Sequence, residues 1–267
     1  MRILVTGATG NVGRMVVDEL LARGATDVRA LTVDPSRAAL PPSVEVARGF
    51  VGRPSSMPAA LAGVDRLYLA PHPATAPEVC RMAAEAGVRL IVDMAGPKGE
   101  HWQAVEDAVE ACGVPWVHLE PGEFTANAEI WAPQIRAGDV VQDAWGAAAN
   151  APVAQEDIAA VAAHVLLADG FEGSSLELTG PASLTRREKV AAIGRALGRD
   201  LTYVELRGEE ARSLFRSIMG PHGDWYLDGL AQLASRPQPA VSTVFDLLGR
   251  PALGYEEWAR RHADLFR

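Results

Sequence analysis

The chain has 267 residues, 48% hydrophobic and 22% charged, which suffices for one large core or one core with a small appended lobe. A net charge of −9 argues against nucleic acid or an anionic membrane as partner. No apolar run of about 18 residues and no basic-then-apolar leader is present, which predicts a cytoplasmic protein acting on a small molecule.

Residues 2–4 form an apolar, β-branched run suited to a buried strand. Gly7, Gly10 and Gly13 follow it with the spacing GxxGxxG, and residues 15–21 then read as a helix. In that context the glycines permit a tight turn and let a pyrophosphate approach backbone N–H groups at the helix start. Further strands are predicted over 28–33, 44–47, 66–70, 89–92 and 116–119. Helical patterns over 74–87 and 101–112 lie between the later ones. This alternation predicts right-handed βαβ units and a doubly wound parallel α/β sheet.

After Pro121 the pattern loosens. Helices are expected over 158–167, 185–197, 208–219, 225–234 and 255–266, with Thr185 as N-cap and Glu188 at the third helical position. Strands are expected over 176–179 and 202–206, the first returning to the sheet. Residues 1–121 are therefore expected to form a dinucleotide-binding Rossmann domain, and 122–267 a small, mostly helical substrate lobe. Cys80 and Cys112 lie in helical segments outside any CxxC spacing and read as reduced thiols. No HExxH or CxxC spacing suggests a metal, and no GxSxG a serine hydrolase.

The segments 6–13, Ala62-Gly63-Val64-Asp65, Gly113-Val114-Pro115-Trp116, Pro121-Gly122-Glu123-Phe124 with Asn127, Asp157-Ile158-Ala159, Leu178-Thr179-Gly180-Pro181 and Tyr255-Glu256-Glu257-Trp258 resemble the NmrA-like group of atypical short-chain dehydrogenases/reductases. That group includes NAD(P)H:quinone oxidoreductases, isoflavone-reductase-like enzymes and NADP-sensing regulators. The resemblance covers nearly the whole chain. The YxxxK pair of the wider superfamily is absent: the residues four after Tyr68, Tyr203, Tyr226 and Tyr255 are His72, Arg207, Leu230 and Ala259. Hydride transfer to a quinone, enone or iminium ion needs no built-in tyrosine acid, because the cofactor carries that chemistry.

The loop and the resemblance together assign cofactor binding to Gly7, Thr9, Gly10, Asn11, Val12, Gly13, Asp34, Arg37, Phe50 and Pro71. Relatives often carry arginine just after the second strand, where this chain has Val33-Asp34. Arg14 and Arg37 remain nearby, so NADP(H) is expected to be weakly preferred over NAD(H). Asp34 either bonds ribose hydroxyls or opens a loop. Phe50 stands where relatives have an acid after the third strand, and either stacks on adenine or fills a gap.

His72, Asp93 and Glu120 fall at the carboxyl ends of strands four, five and six, where ligands bind in open α/β sheets, and are the acid–base candidates. The two acids are expected to share a crevice and raise each other's pKa, unless each is bonded to backbone or arginine. Lys98 and His101 are weaker candidates after strand five. Phe124, Asn127 and Trp131 are expected to line the substrate side, while His118 and His164 read as core histidines. Two function classes remain. One is NAD(P)H-dependent reduction of a small hydrophobic conjugated electrophile. The other is a non-redox use of the fold, as cyclase, isomerase or lyase, or as an NADP sensor.

Overall fold

The computed structural model describes residues 1–96 and 102–267. Lys98 and His101 lie outside the described residues. In chain order the elements are β1 (Ile3–Val5), α1 (Asn11–Ala22), β2 (Val28–Thr32), β3 (Glu45–Arg48), α2 (Pro58–Leu61), β4 (Arg66–Leu69), α3 (Ala76–Glu85), β5 (Leu90–Met94), α4 (Gln103–Ala111) and β6 (Trp116–Pro121). The later half adds α5 (Ala132–Ala137), β7 (Val140–Ala144), β8 (Ala149–Asn150), α6 (Gln155–Leu167), β9 (Ser174–Leu178) and β10 (Leu184–Thr185). It ends with α7 (Arg186–Leu197), β11 (Thr202–Leu206), α8 (Gly208–Met219), α9 (Gly223–Ser235), α10 (Thr243–Leu248) and α11 (Tyr255–Arg261). None of the described helices is long and apolar enough to cross a membrane.

The chain forms two compact units. The first comprises residues 1–122, 155–178 and 243–250, and the second comprises 123–154, 179–242 and 251–267. The first unit is a seven-stranded sheet in the order β3-β2-β1-β4-β5-β6-β9, parallel throughout. The strand order reverses between β1 and β4, which makes a topological switch point beside the glycine loop. One face carries an apolar layer from Leu4, Leu31, Leu67 and Ile91 to Met57, Val79, Cys80 and Val105 of the covering segments. Helices α1 and α6 pack on each other, and α6 is buried nearly all round by small and β-branched residues such as Ala159, Ala160, Val161 and Ala163. Short side chains there let the two helix axes approach closely.

The doubly wound parallel sheet is the architecture the alternating pattern predicts, and the segment near 176–179 does return to it as β9. Two strands run further than expected. β5 continues through Asp93 and Met94, and β6 through Glu120 and Pro121. Asp93 therefore sits within the ladder, opposite His118, and Glu120 pairs with Glu177 of β9. The added β9 ladder supplies partners that prolong β6 past the point where its own apolar run ends.

In the second unit the strand over 202–206 pairs parallel with β7 in a separate two-stranded sheet, and β8 pairs antiparallel with β10. β7 has a weak strand signature because it contains Gln142 and Asp143, residues that fit a pleated surface poorly. Helix α7 begins at the expected cap. Thr185 Oγ1 accepts from Glu188 N (3.2 Å), and Glu188 Oε2 accepts from Thr185 N (2.8 Å). The helix ends on Gly198 at φ +67°, a left-handed position that suits glycine.

Candidate active site

The carboxyl end of β1 is tied to that of β4 by one buried side chain. Thr6 Oγ1 donates to Tyr68 O (2.9 Å) and accepts from Ala70 N (2.8 Å). The chain then turns through Gly7 at φ +61°, which a side chain would strain. A Cβ on Gly13 would overlap the Gly7 carbonyl, so this glycine lets the first turn of α1 press against the loop. A Cβ on Gly10 would meet that carbonyl at 3.2 Å, closer than side chains ordinarily approach. The sequence gives the three glycines one motif, and the fold gives them three tasks: turn, exposed approach and close packing.

Gly10 is the N-cap of α1, and no described side chain caps the helix. The first intrahelical bond runs from Arg14 N to Gly10 O (3.0 Å), so the N–H groups of Asn11, Val12 and Gly13 precede the ladder. Thr9, Gly10 and Asn11 are exposed beside them. An uncapped helix start behind an exposed glycine is a fit for the pyrophosphate of NAD(P)H.

Beyond β2, Asp34 turns inward on its own loop. Its Oδ1 accepts from Ser36 N (3.1 Å) and Ser36 Oγ (2.6 Å) and caps the short 3₁₀ turn Pro35–Arg37. Of the two readings of Asp34, this geometry is that of the loop start. Arg37 is exposed on the same turn.

Phe50 is exposed, and its ring meets His72 edge-on at 5.6 Å between centroids. Gly52 fits beneath both rings, since a Cβ there would stand 2.7 Å from His72 Nε2. Pro71 and His72 are half-buried after β4. Thr75 Oγ1 donates to Val51 O (2.8 Å), so its oxygen accepts from His72 Nδ1–H (2.8 Å). That puts a proton on Nδ1, so in the neutral ring the lone pair is on Nε2. The fold thus brings His72 to Phe50, and no hydrogen bond or ion pair among the described residues joins it to Asp93 or Glu120.

Asp93 does not project into an open crevice. It is fully buried, and its Oδ1 accepts from His118 Nδ1 at 2.5 Å. Trp116 stacks on the imidazole at 3.9 Å, and Glu110 Oε1 lies 3.4 Å from His118 Nε2. Burial pushes the Asp93 carboxyl up, His118 opposes this, and the nearby charge of Glu120 adds to the rise. Burial alone would lower the His118 pKa, but Asp93, Glu106 and Glu110 outweigh it and hold the imidazole above its ordinary value. Glu120 is half-buried, and its Oε1 is buried without a hydrogen-bond partner among the described residues. The charge of Glu120 adds to the rise at Asp93, but Asp93 is sealed against His118 and Glu120 keeps a free oxygen.

Residues 7–169 match a family model described as NAD(P)H-binding. The chain belongs to the NAD(P)H-binding family. It is 36% identical to a (4-alkanoyl-5-oxo-2,5-dihydrofuran-3-yl)methyl phosphate reductase of Streptomyces griseus, over 99% of both chains. It is 30% identical to an NAD(P)H azoreductase of Xenophilus azovorans, again over 99% of both. A solved NADPH-dependent quinone oxidoreductase of Escherichia coli, in complex with NADPH, shares the fold. Its TM-score is 0.86 at 24% identity, covering 97% of this chain and 99% of that one. These relatives are reductases, the second and third of them named for NAD(P)H or NADPH.

The second unit of this family member places the remaining candidates. Phe124 is half-buried and bridges to Val153, and Asn127 is exposed on the 3₁₀ turn Thr125–Trp131. Trp131 differs from expectation. It is buried, its Nε1 donates to Asp143 Oδ2 (2.9 Å), and the Arg186 guanidinium lies 4.9 Å from its ring centroid. It braces the interior instead of lining an open wall.

Around it lies a charge network that the pattern reading did not anticipate. Arg186 Nε donates to Asp143 Oδ2 (2.7 Å), and its Nη1 to the Tyr226 hydroxyl (3.3 Å). Tyr226 donates in turn to Glu123 Oε1 (3.2 Å). Lys189 Nζ meets Glu123 Oε2 at 2.5 Å and also donates to Asn150 Oδ1. Burial would raise the Glu123 carboxyl, but the charges of Lys189 and Arg186 bring it below its ordinary value. For Lys189 the balance runs the other way, burial lowering the ammonium by more than Glu123 restores. The short contact, with a second acceptor on the same ammonium, makes the ionised pair the state at neutral pH. One signal was available in the sequence. Arg186 and Lys189 share the helix face of Val190 and Ile193, so cations occupy core positions that require buried carboxylates.

Proposed function

We propose that the chain reduces a small, hydrophobic, conjugated electrophile (a quinone, enone or imine) with NADP(H) preferred over NAD(H). The observation that carries this reading is the uncapped start of α1 behind the exposed Thr9, Gly10 and Asn11, in a chain whose relatives at 30% identity or more are reductases. The furanone relative's name specifies a ring C=C conjugated to carbonyl oxygen, and the azoreductase acts on an N=N bond. Both are π systems that accept hydride without prior protonation, which suits a chain without a YxxxK pair.

When bound, NAD(P)H supplies the hydride. The chain's own residues bind and orient it: Gly7, Thr9, Gly10, Asn11, Val12 and Gly13 at the pyrophosphate, Phe50 and Pro71 at the adenine end, and Arg37 with Arg14 toward the 2′-phosphate. An enone that receives hydride at its β-carbon pushes an electron pair onto oxygen and then needs one proton. Glu120, with its free Oε1, is the group able to hold that proton. Phe124 and Asn127, on the segment after β6, contact the substrate.

Two measurements test this. Gly10→Val should weaken NADPH binding by more than about tenfold in a variant that stays folded by circular dichroism, because the branched side chain fills the phosphate approach. Unchanged affinity would remove the loop from the site. NADPH oxidation should then be followed with quinone, enone and azo acceptors. Glu120→Gln is expected to lower kcat more than it raises KM if Glu120 delivers the proton. Tight NADPH binding with no turnover of any acceptor would favour the sensor reading instead.

A further inference from the structure

The carboxyl end of β2 is ringed by three arginines whose roles the family match does not assign. Strand register sets Arg48 of β3 directly beside Thr32, the last residue of β2. Arg48 Nε donates to the carbonyl of Val33 at 3.3 Å, so its guanidinium is held across the start of the loop. Its two terminal nitrogens make no hydrogen bond or ion pair among the described residues, and the side chain is exposed. Arg14, in the first turn of α1, approaches the same loop from the other side. Its Nη1 donates to Ala39 O (3.0 Å), and its Nε is shared with Asp18 (3.2 Å). Arg37 projects from the 3₁₀ turn between them. The one acid on this loop, Asp34, is committed to Ser36.

In a βαβ dinucleotide site the adenosine ribose lies at the end of β2. A free carboxylate there takes the 2′-hydroxyl, and an arginine takes a 2′-phosphate. Here the carboxylate is engaged, and Arg48 keeps two guanidinium nitrogens without a partner among the described residues. We propose that Arg48, reaching over Val33 from the neighbouring strand, is the principal specificity-determining residue for the 2′-phosphate of NADP(H), with Arg14 and Arg37 as flanking cations. Of the three, Arg48 has its planar fork already fixed by a backbone bond while keeping both terminal nitrogens for the phosphate, so least freedom is lost when it binds. Arg14 is partly neutralised by Asp18. The consequence is a sharper preference for NADP(H) than the loop residues 33–37 alone would give.

This inference rests on the loop binding a dinucleotide, and calorimetric titration with NADPH and NADH separates the two ideas. Arg48→Ala should weaken NADPH by at least about tenfold, the effect of losing a charge-assisted pair, and leave NADH within about twofold. Arg48→Lys, which keeps the charge and loses the fork, should fall between them. The NADPH affinity of Arg48→Ala should also depend less steeply on salt. An Arg48→Ala variant that retains the wild-type preference, or loses both cofactors equally, overturns the assignment while the dinucleotide site stands. A wild-type chain that binds neither cofactor overturns both.

Discussion

The interiors of the two units are held by different physics. In the first, one face of the sheet is packed by apolar side chains such as Leu4, Leu67 and Ile91, each without solvent exposure, and the buried Asp93–His118 pair is a single contact within the ladder. In the second, apolar clusters around Trp258 and Phe215 enclose two cations and two carboxylates, with Arg186 framed by the rings of Trp131, Phe215 and Tyr226. An apolar core tolerates a lost methylene in proportion to the cavity left behind. A buried charge network fails when one partner goes, because the other is left without compensation.

The largest expected effect breaks that network. Arg186→Met should cost about 3–5 kcal/mol in urea unfolding, since Asp143 keeps its charge with no guanidinium to meet it. Adding Asp143→Leu should recover much of the loss, because an apolar pair of similar volume replaces both ions. In the first unit Leu67→Ala should cost about 2–5 kcal/mol with no such rescue by a second substitution. Equal losses in the single and double variants would mean that the ions add stability only through packing.

A second, smaller effect sharpens the contrast through pH. Glu123 is held below its ordinary value of 4.5, so its share of stability is present above that value and is lost as pH falls through the depressed one. His118 is held above its ordinary 6.5, so its share is present below 6.5 and is lost as pH rises through the elevated value. Urea midpoints should therefore fall on the acid side for one unit and on the alkaline side for the other. Glu123→Gln should flatten the acid limb and His118→Gln the alkaline one. A variant that leaves its limb unchanged would show that its group does not carry the dependence.

The smallest effect is local. Thr185→Ala removes the hydroxyl that accepts from Glu188 N and should cost about 1 kcal/mol, read as a shift in urea midpoint. A loss of several kcal/mol would mean that the α7 start also positions Arg186, its first residue.

The contrast also decides what could be read from the chain. The first unit was legible because its information is periodic: apolar runs alternate with helical spacing, and the glycine loop stands between a strand and a helix. The capping box at Thr185 was legible for the same reason, being a short-range pattern. What escaped depends on partners far apart in sequence. Asp93 reads as a strand-end acid until β6 sets His118 opposite it. Trp131 reads as a substrate wall until Asp143 and Arg186, the latter 55 positions on, close around it. Asp34 reads as a possible ribose ligand until Ser36 takes its carboxylate. Arg48 carries no signal of its own, because its meaning comes from lying beside β2.

The stacking of Trp116 on His118 has an optical consequence. An imidazolium quenches indole emission more strongly than neutral imidazole does, and here the two rings are stacked 3.9 Å apart and nearly parallel. Trp116 should therefore brighten as the His118–Asp93 pair loses its proton. The first unit contains a built-in fluorescent indicator of its own buried titration, readable without label or substrate.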